Sequence, residues 1–216
     1  MFLTRLLIIS HFSIVIPAFL SLFKINYEIK FYLPFVLFMW IGLLNETISY
    51  VFIIKSQSNM INSNIYTLIE YFIILAQFAV WNGKPVKQYI LFAIGGLLIW
   101  LIDNVYLHTL TDNNSIFRLS YSLVIVLFSL DQYNKVIIYE KGRLITNATF
   151  LMCTGFIFYF GCKAFLESFN IFHVGLSGLF LERIFIILSL INFLANLLYS
   201  FSILCIPRKR EFSLPY

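Results

Sequence analysis

Charge is what this sequence has least of. Asp, Glu, Lys and Arg make up 12% of its 216 residues, about half the usual share of a soluble domain. Hydrophobic residues make up 61%, so too little polar surface remains to cover a water-soluble fold of this length. Cysteine is also scarce. Three residues in 216 exclude a secreted disulfide scaffold, and Cys153, Cys162 and Cys205 lack the spacing of a metal or redox pair. There is no G-x-S-x-G, so a serine nucleophile has no motif. The three histidines form neither H-x-x-x-H nor H-E-x-x-H, so no zinc site is implied, and no cofactor is expected.

What is present is a series of long apolar runs, with a mean hydropathy of +0.89. Seven can be read, at 6–23, 31–54, 64–81, 88–107, 119–138, 148–169 and 179–206. Each approaches the ~20 residues that carry an α-helix across hydrocarbon. Lipid offers no partner to a backbone N–H or C=O, so the spans must be helical. Turn-forming residues separate them: Asn82-Gly83-Lys84-Pro85, Asp112-Asn113-Asn114-Ser115 and Lys141-Gly142-Arg143. Pro34 falls in a first helical turn, where it is tolerated, whereas Pro17 should kink the first helix. The first run lacks a small-x-small cleavage site and is read as a span rather than a signal peptide. The expectation is one all-α transmembrane domain over 1–216, a seven-helix bundle without internal repeat or soluble domain.

Basic residues set the orientation. With the N-terminus outside, the inner side carries Lys24, Lys30, Lys84, Lys87, Lys141, Arg143, Arg208, Lys209 and Arg210. The outer side carries Arg5, Lys55 and Arg118. This bias predicts N-out, C-in, in a bacterial inner membrane. The basic pI of about 9.1 then reports topology and anionic lipid, not nucleic acid.

Charged side chains within hydrocarbon cost on the order of 2.5–3.5 kcal/mol each at a helix centre, and usually face a bundle interior or a cavity. Here they recur at helical spacing. Tyr66, Glu70 and Gln77 share one face, as do Tyr159, Lys163 and Glu167. Asn45 and Glu46 lie in the second run. Glu182, Ser189, Asn192, Asn196 and Tyr199 form a stripe on the seventh. At 1.5 Å per residue, Glu46 lies about 12 Å from the outer end of its helix, and Glu70 and Lys163 about 9 Å. Asp131 and Lys135 alone sit toward the inner face, spaced to pair with each other. Two readings follow. The outer layer is a polar ligand pocket lined by Asn45, Glu46, Tyr66, Glu70, Lys163 and Glu182, with Asn192 and Asn196 beneath; or its members pair internally, Lys163 neutralising Glu46 or Glu70.

Asn64-Ile65-Tyr66-Thr67-Leu68-Ile69-Glu70 resembles the N-x-Y-x-x-x-E start of a third helix in small polytopic membrane proteins common in Bacteroidota. Glu46, the stretch Gly155-x-x-x-Tyr159-Phe160-Gly161 and Asn192-x-x-x-Asn196 fit the same pattern. The resemblance covers most of the chain and implies membrane location and a seven-span fold, not a chemistry.

Seven spans with this orientation are also the arrangement of receptors and rhodopsins. A retinal protein needs a Lys in the seventh helix, and 179–206 has none. The expected function is receptor-like, sensory binding of a small ligand from the outer side. About ten residues follow Ile206, too few for an output domain, so signalling would pass to a cytoplasmic or membrane partner. Two rivals stand beside it. A proton- or ion-coupled transporter would continue the polar path inward through Asn192, Asn196, Tyr199 and Asp131. A membrane-embedded enzyme acting on lipid would need Glu46 and Glu70 close enough to share a proton.

Overall fold

The structure, a computed structural model, describes residues 10–24, 27–83, 86–140, 142–172 and 178–207, without the side chains of 27–29, 86, 178–179, 181–182 and 185. Every regular element among them is helical. The α-helices are α1 (Val15–Leu22), α2 (Leu33–Ile54), α3 (Met60–Asn82), α4 (Val86–Leu101), α5 (Ser115–Tyr139), α6 (Ala148–Ile171) and α7 (Gly178–Leu204). Six stretches are long and apolar enough to cross a membrane, and together they make an integral, multi-pass bundle. The described part of the first run, Ser10–Leu22, is a shorter apolar helix. Residues 6–9 of that predicted span lie outside the described residues, as do Arg5, Lys84, Lys141, His173 and Arg208 to Arg210.

Pro17 acts on α1 as expected. It has no N–H to offer the Ser13 carbonyl, and the helical pattern lapses at Ser13 and Ile14. The Ser13 carbonyl accepts instead from the Ile16 N–H, at 3.1 Å. Pro34 lies in the first turn of α2. The Phe35 N–H, unpartnered within that turn, donates to Gln77 Oε1 at 2.9 Å, and Gln77 Nε2 donates to the Phe31 carbonyl at 2.7 Å. Gln77, read from its spacing as part of a polar face, is therefore a cap supplied by α3 to α2. α3 stops at Gly83, whose φ of +65° suits a residue without Cβ. Asn147 caps α6 by accepting from the Phe150 N–H at 2.9 Å. At the other end of the chain, Lys24 Nζ donates to the Leu204 carbonyl at 2.8 Å, a cation on the C-terminal end of α7.

α5 packs most closely on α6, α6 on α7, and α2 on α3, while α4 hangs at the edge against α3 and α5. Two close approaches depend on glycine. A Cβ on Gly155 would stand 2.4 Å from the Tyr199 ring, and one on Gly96 would stand 2.2 Å from the Tyr71 ring. Gly95 and Gly161 have nothing within 4 Å of a Cβ. The core is an aromatic slab. Phe35, Phe38, Phe78, Phe156 and Tyr199 meet mostly edge to face, with ring centroids 5.3–6.2 Å apart.

Candidate functional site

The α3 motif brings Tyr66 and Glu70 onto one face, one turn apart. Glu70 Oε1 accepts from the Tyr66 hydroxyl at 3.2 Å. Glu70 Oε2 accepts from the Tyr121 hydroxyl of α5 at 2.6 Å and from Lys163 Nζ of α6 at 3.3 Å. Lys163 Nζ also donates to the Tyr121 hydroxyl. Glu70 is buried, at 2% exposure, and Lys163 is nearly so, at 12%. The ammonium lies over three aromatic rings, 5.0 Å from the Tyr121 centroid, 5.6 Å from Tyr159 and 5.7 Å from Phe160. A buried ion pair is tolerable only when its remaining hydrogen-bonding capacity is met. Here two tyrosine hydroxyls meet that of the carboxylate.

One turn nearer the same end, a second charged layer joins the same three helices. Arg118 of α5 lies 3.9 Å from Glu167 of α6. Its Nη2 donates to Ser63 Oγ and Asn64 Oδ1 of α3, at 3.0 and 2.9 Å. Asn64 in turn donates to the carbonyls of Leu110 and Asp112, both at 2.9 Å. Its own carbonyl accepts from Trp100 Nε1. The Asn, Tyr and Glu of the N-x-Y-x-x-x-E motif thus have separate tasks. Asn64 ties α3 to the 108–114 connection and to Arg118. Tyr66 and Glu70 build the deeper layer.

That connection is closed by polar groups from the π-type turn that ends the fourth span, Ile102–Leu107. Asp103 is fully buried. One of its oxygens accepts from the Phe117 N–H at 2.8 Å, capping α5; the other lies 2.9 Å from His108 Nδ1. In the exposed turn beyond, Thr109 donates both its N–H and its hydroxyl to Asp112. These hydrogen bonds hold the Asp112 carboxyl below the usual aspartate range.

The other sequence-predicted residues lie elsewhere. Glu46 pairs with His11 of the first helix at 3.2 Å, and both are partly exposed. Asn45 accepts from Asn62 Nδ2 at 2.9 Å, within a separate amide and hydroxyl network with Ser49 and Asn59. Asn192 donates to the Ser10 carbonyl at 3.4 Å and Asn196 to Ser13 Oγ at 2.8 Å. These two stitch α7 to the broken helical start, with Ser10 donating to the Ser189 carbonyl. The Glu182 side chain lies outside those described. Glu46 and Glu70 each have a basic partner of their own, so nothing in this arrangement calls for a shared proton. Asp131 and Lys135 pair as their spacing indicated, at 2.6 Å.

Tyr121 and Arg118 were not legible as site residues. Arg118 reads as an outer-side flanking charge when the fifth run is started at Leu119. Helix α5 begins earlier, at Ser115, because Asp103 caps it. Arg118 and Tyr121, three residues apart, then face the same neighbours. That i, i+3 relation was the available signal.

Among the described residues, no cluster of three or more His, Cys, Asp and Glu is placed to hold a metal ion. No protein-family model matches the chain, and no curated protein or solved structure matches it either.

Proposed function

We propose that this protein is a receptor-like sensor of the bacterial inner membrane, with seven spans, its N-terminus outside and its C-terminus in the cytoplasm. The ligand is a small charged molecule arriving from the outer side. Its target is the layer of Glu70, Lys163, Tyr66 and Tyr121, with the Glu46–His11 pair as a second contact point. The observation that carries this reading is the Lys163–Glu70 pair, buried and bonded across three helices. A charged ligand would exchange with one member of the pair and so alter how α3, α5 and α6 are held together. The bend before Pro17 and the Asn196–Ser13 contact offer one route by which α7 and α1 would follow. Output would pass to a cytoplasmic or membrane partner.

Binding is favoured over transport by what lies beneath the ion pair. From Glu70 to Phe78 is about 12 Å along α3, and from Lys163 to Phe156 about 10 Å along α6. Over that distance the interior becomes the aromatic slab, a poor path for an ion. One observation favours the transport alternative: the Tyr199 hydroxyl is buried in that slab without a partner among the described residues. A lipid-acting enzyme has less support, since the two carboxylates it would use are already paired separately with His11 and Lys163.

The test uses the full chain in lipid nanodiscs. Small acids and amines are screened for ligand-induced thermal stabilisation, then compared in Glu70→Gln and Glu46→Gln. The expected result is that both variants insert and that Glu70→Gln abolishes the ligand response. An unchanged response in both variants would overturn the sensor reading. Solute flux into liposomes that depends on Glu70 would establish the transporter instead.

A further inference from the structure

Two adjoining pockets form a cleft between α4 and α5 on the flank of the bundle, and Tyr121, which bonds Glu70, is among the residues that wall it. Its upper part, about 350 Å³, is almost wholly apolar and is walled by Leu91, Phe92, Ile99 and Val124, with Gly95 and Gly96 as its floor and Tyr121 at its side. Its lower part, about 370 Å³, shares Phe92 and Val124 and continues past Leu127 to Gln88, Asp131 and Lys135. Both parts open laterally. Gly95 has no atom within 4 Å of a Cβ position, so the backbone of α4 is bare to whatever fills the space. The neighbouring α4 side chains Leu91, Ile94 and Leu98 are exposed.

We infer that this cleft is a binding site for one phospholipid whose headgroup carries both a phosphate and a primary ammonium, such as phosphatidylethanolamine. Length and charge both select it. From Lys135 to Tyr121 is 14 residues of α5, about 21 Å. A single leaflet, hydrocarbon plus headgroup, is about 20–22 Å thick. The apolar segment matches the acyl chain, and its polar end lies where the headgroup must be. At that end a cation and an anion stand one turn apart, 2.6 Å from each other and each about half exposed. Lys135 Nζ also donates to Asn82 Oδ1 at 2.7 Å, which holds the ammonium at the mouth of the cleft. A zwitterionic headgroup answers both charges: its phosphate takes Lys135 and its ammonium takes Asp131. A purely anionic headgroup would face Asp131 unpaired. A bare alkyl chain would engage neither charge and leave them paired with each other. Tyr121 lies both in the proposed sensor centre and on the wall of this cleft, whereas Gly95, Asp131 and Lys135, the positions that the test changes, belong to the cleft alone.

The test is native mass spectrometry of the full chain, extracted from membranes and washed in detergent containing equal amounts of phosphatidylethanolamine and phosphatidylglycerol. The intact protein should retain one phosphatidylethanolamine in preference to phosphatidylglycerol. Gly95→Leu places a side chain in the open space without displacing a neighbour, and should reduce retention at least tenfold while the protein remains folded by circular dichroism. Lys135→Gln should weaken retention of both lipids, and Asp131→Asn should remove the preference between them. Three outcomes would overturn the inference: equal retention by wild type and Gly95→Leu, phosphatidylglycerol retained as well as phosphatidylethanolamine by wild type, or a lipid-free dimer that Gly95→Leu dissociates.

Discussion

Losing one member of the Lys163–Glu70 pair is worse than losing both, because the survivor stays buried with its charge uncompensated. Lys163→Met should therefore destabilise the protein by about 3–5 kcal/mol, while Lys163→Met combined with Glu70→Gln should recover most of that. Unfolding of the single and double variants in the same detergent closes the cycle. Glycine provides the opposite contrast. Gly155→Ala drives a methyl against the Tyr199 ring, 2.4 Å away, and should cost about 1–3 kcal/mol by overpacking. Gly95→Ala meets nothing and removes a helix-interior glycine, so it should stabilise by about 0.5–1 kcal/mol. The two midpoints, measured together, should move in opposite directions. The sequence presents Gly95 and Gly155 as equivalent small residues in apolar runs, and only the partner across the gap distinguishes them.

At the scale of elements, the starts of two helices are secured from other spans, while α6 carries a local cap in Asn147. Gln77 of α3 holds the start of α2, and Asp103 of the fourth span holds the start of α5. Gln77→Leu leaves the Phe35 N–H without its buried acceptor. Such a group costs about 1–3 kcal/mol, and hydrogen exchange should show the first turn of α2 opening faster while α6 is unaffected. The Thr109–Asp112 turn responds to pH. The Asp112 carboxyl is held below its ordinary value of 3.8 by hydrogen bonds from Thr109. Its contribution is therefore complete above that ordinary value and disappears as pH falls through the depressed one. Exchange at the Thr109 amide should quicken only in that acid window, and Asp112→Asn should remove the pH dependence. Run length alone placed α2 to α7 close to their observed ranges, whereas the α-helix within the first run is only Val15–Leu22. The early start of α5 escaped it, because the residue that caps that helix lies 14 positions upstream.

Across the whole molecule the charges divide by depth and by end. One end holds the layers of Glu70 with Lys163 and of Arg118 with Glu167, and the other holds the Asp131–Lys135 pair. Arg118, counted as an outer-side charge in the sequence, turns into the bundle, which strengthens the basic bias of the opposite end. With the native cysteines replaced, a cysteine introduced at Asn113 should react with an impermeant reagent added outside intact cells. One at Gly142 should react only after permeabilisation. The reverse pattern would invert the bundle and move the proposed ligand face to the cytoplasm.

Hydrophobic run length and the expense of charge in lipid made the helical membrane class, the approximate spans and the inward placement of Glu70 and Lys163 legible from sequence. Both are properties of one helix against its solvent, and need no knowledge of neighbours. Which charges meet is a property of helix against helix. The sequence left Lys163 a choice between Glu46 and Glu70, and did not mark Tyr121 as a bridge. Asn45, Asn192 and Asn196 carry in the sequence the same outward signs as Glu70 and Lys163. Packing decided among them, since a side chain in a low-dielectric interior is committed to the few polar groups within hydrogen-bond reach, and that reach is set by how α3, α5 and α6 lie against one another.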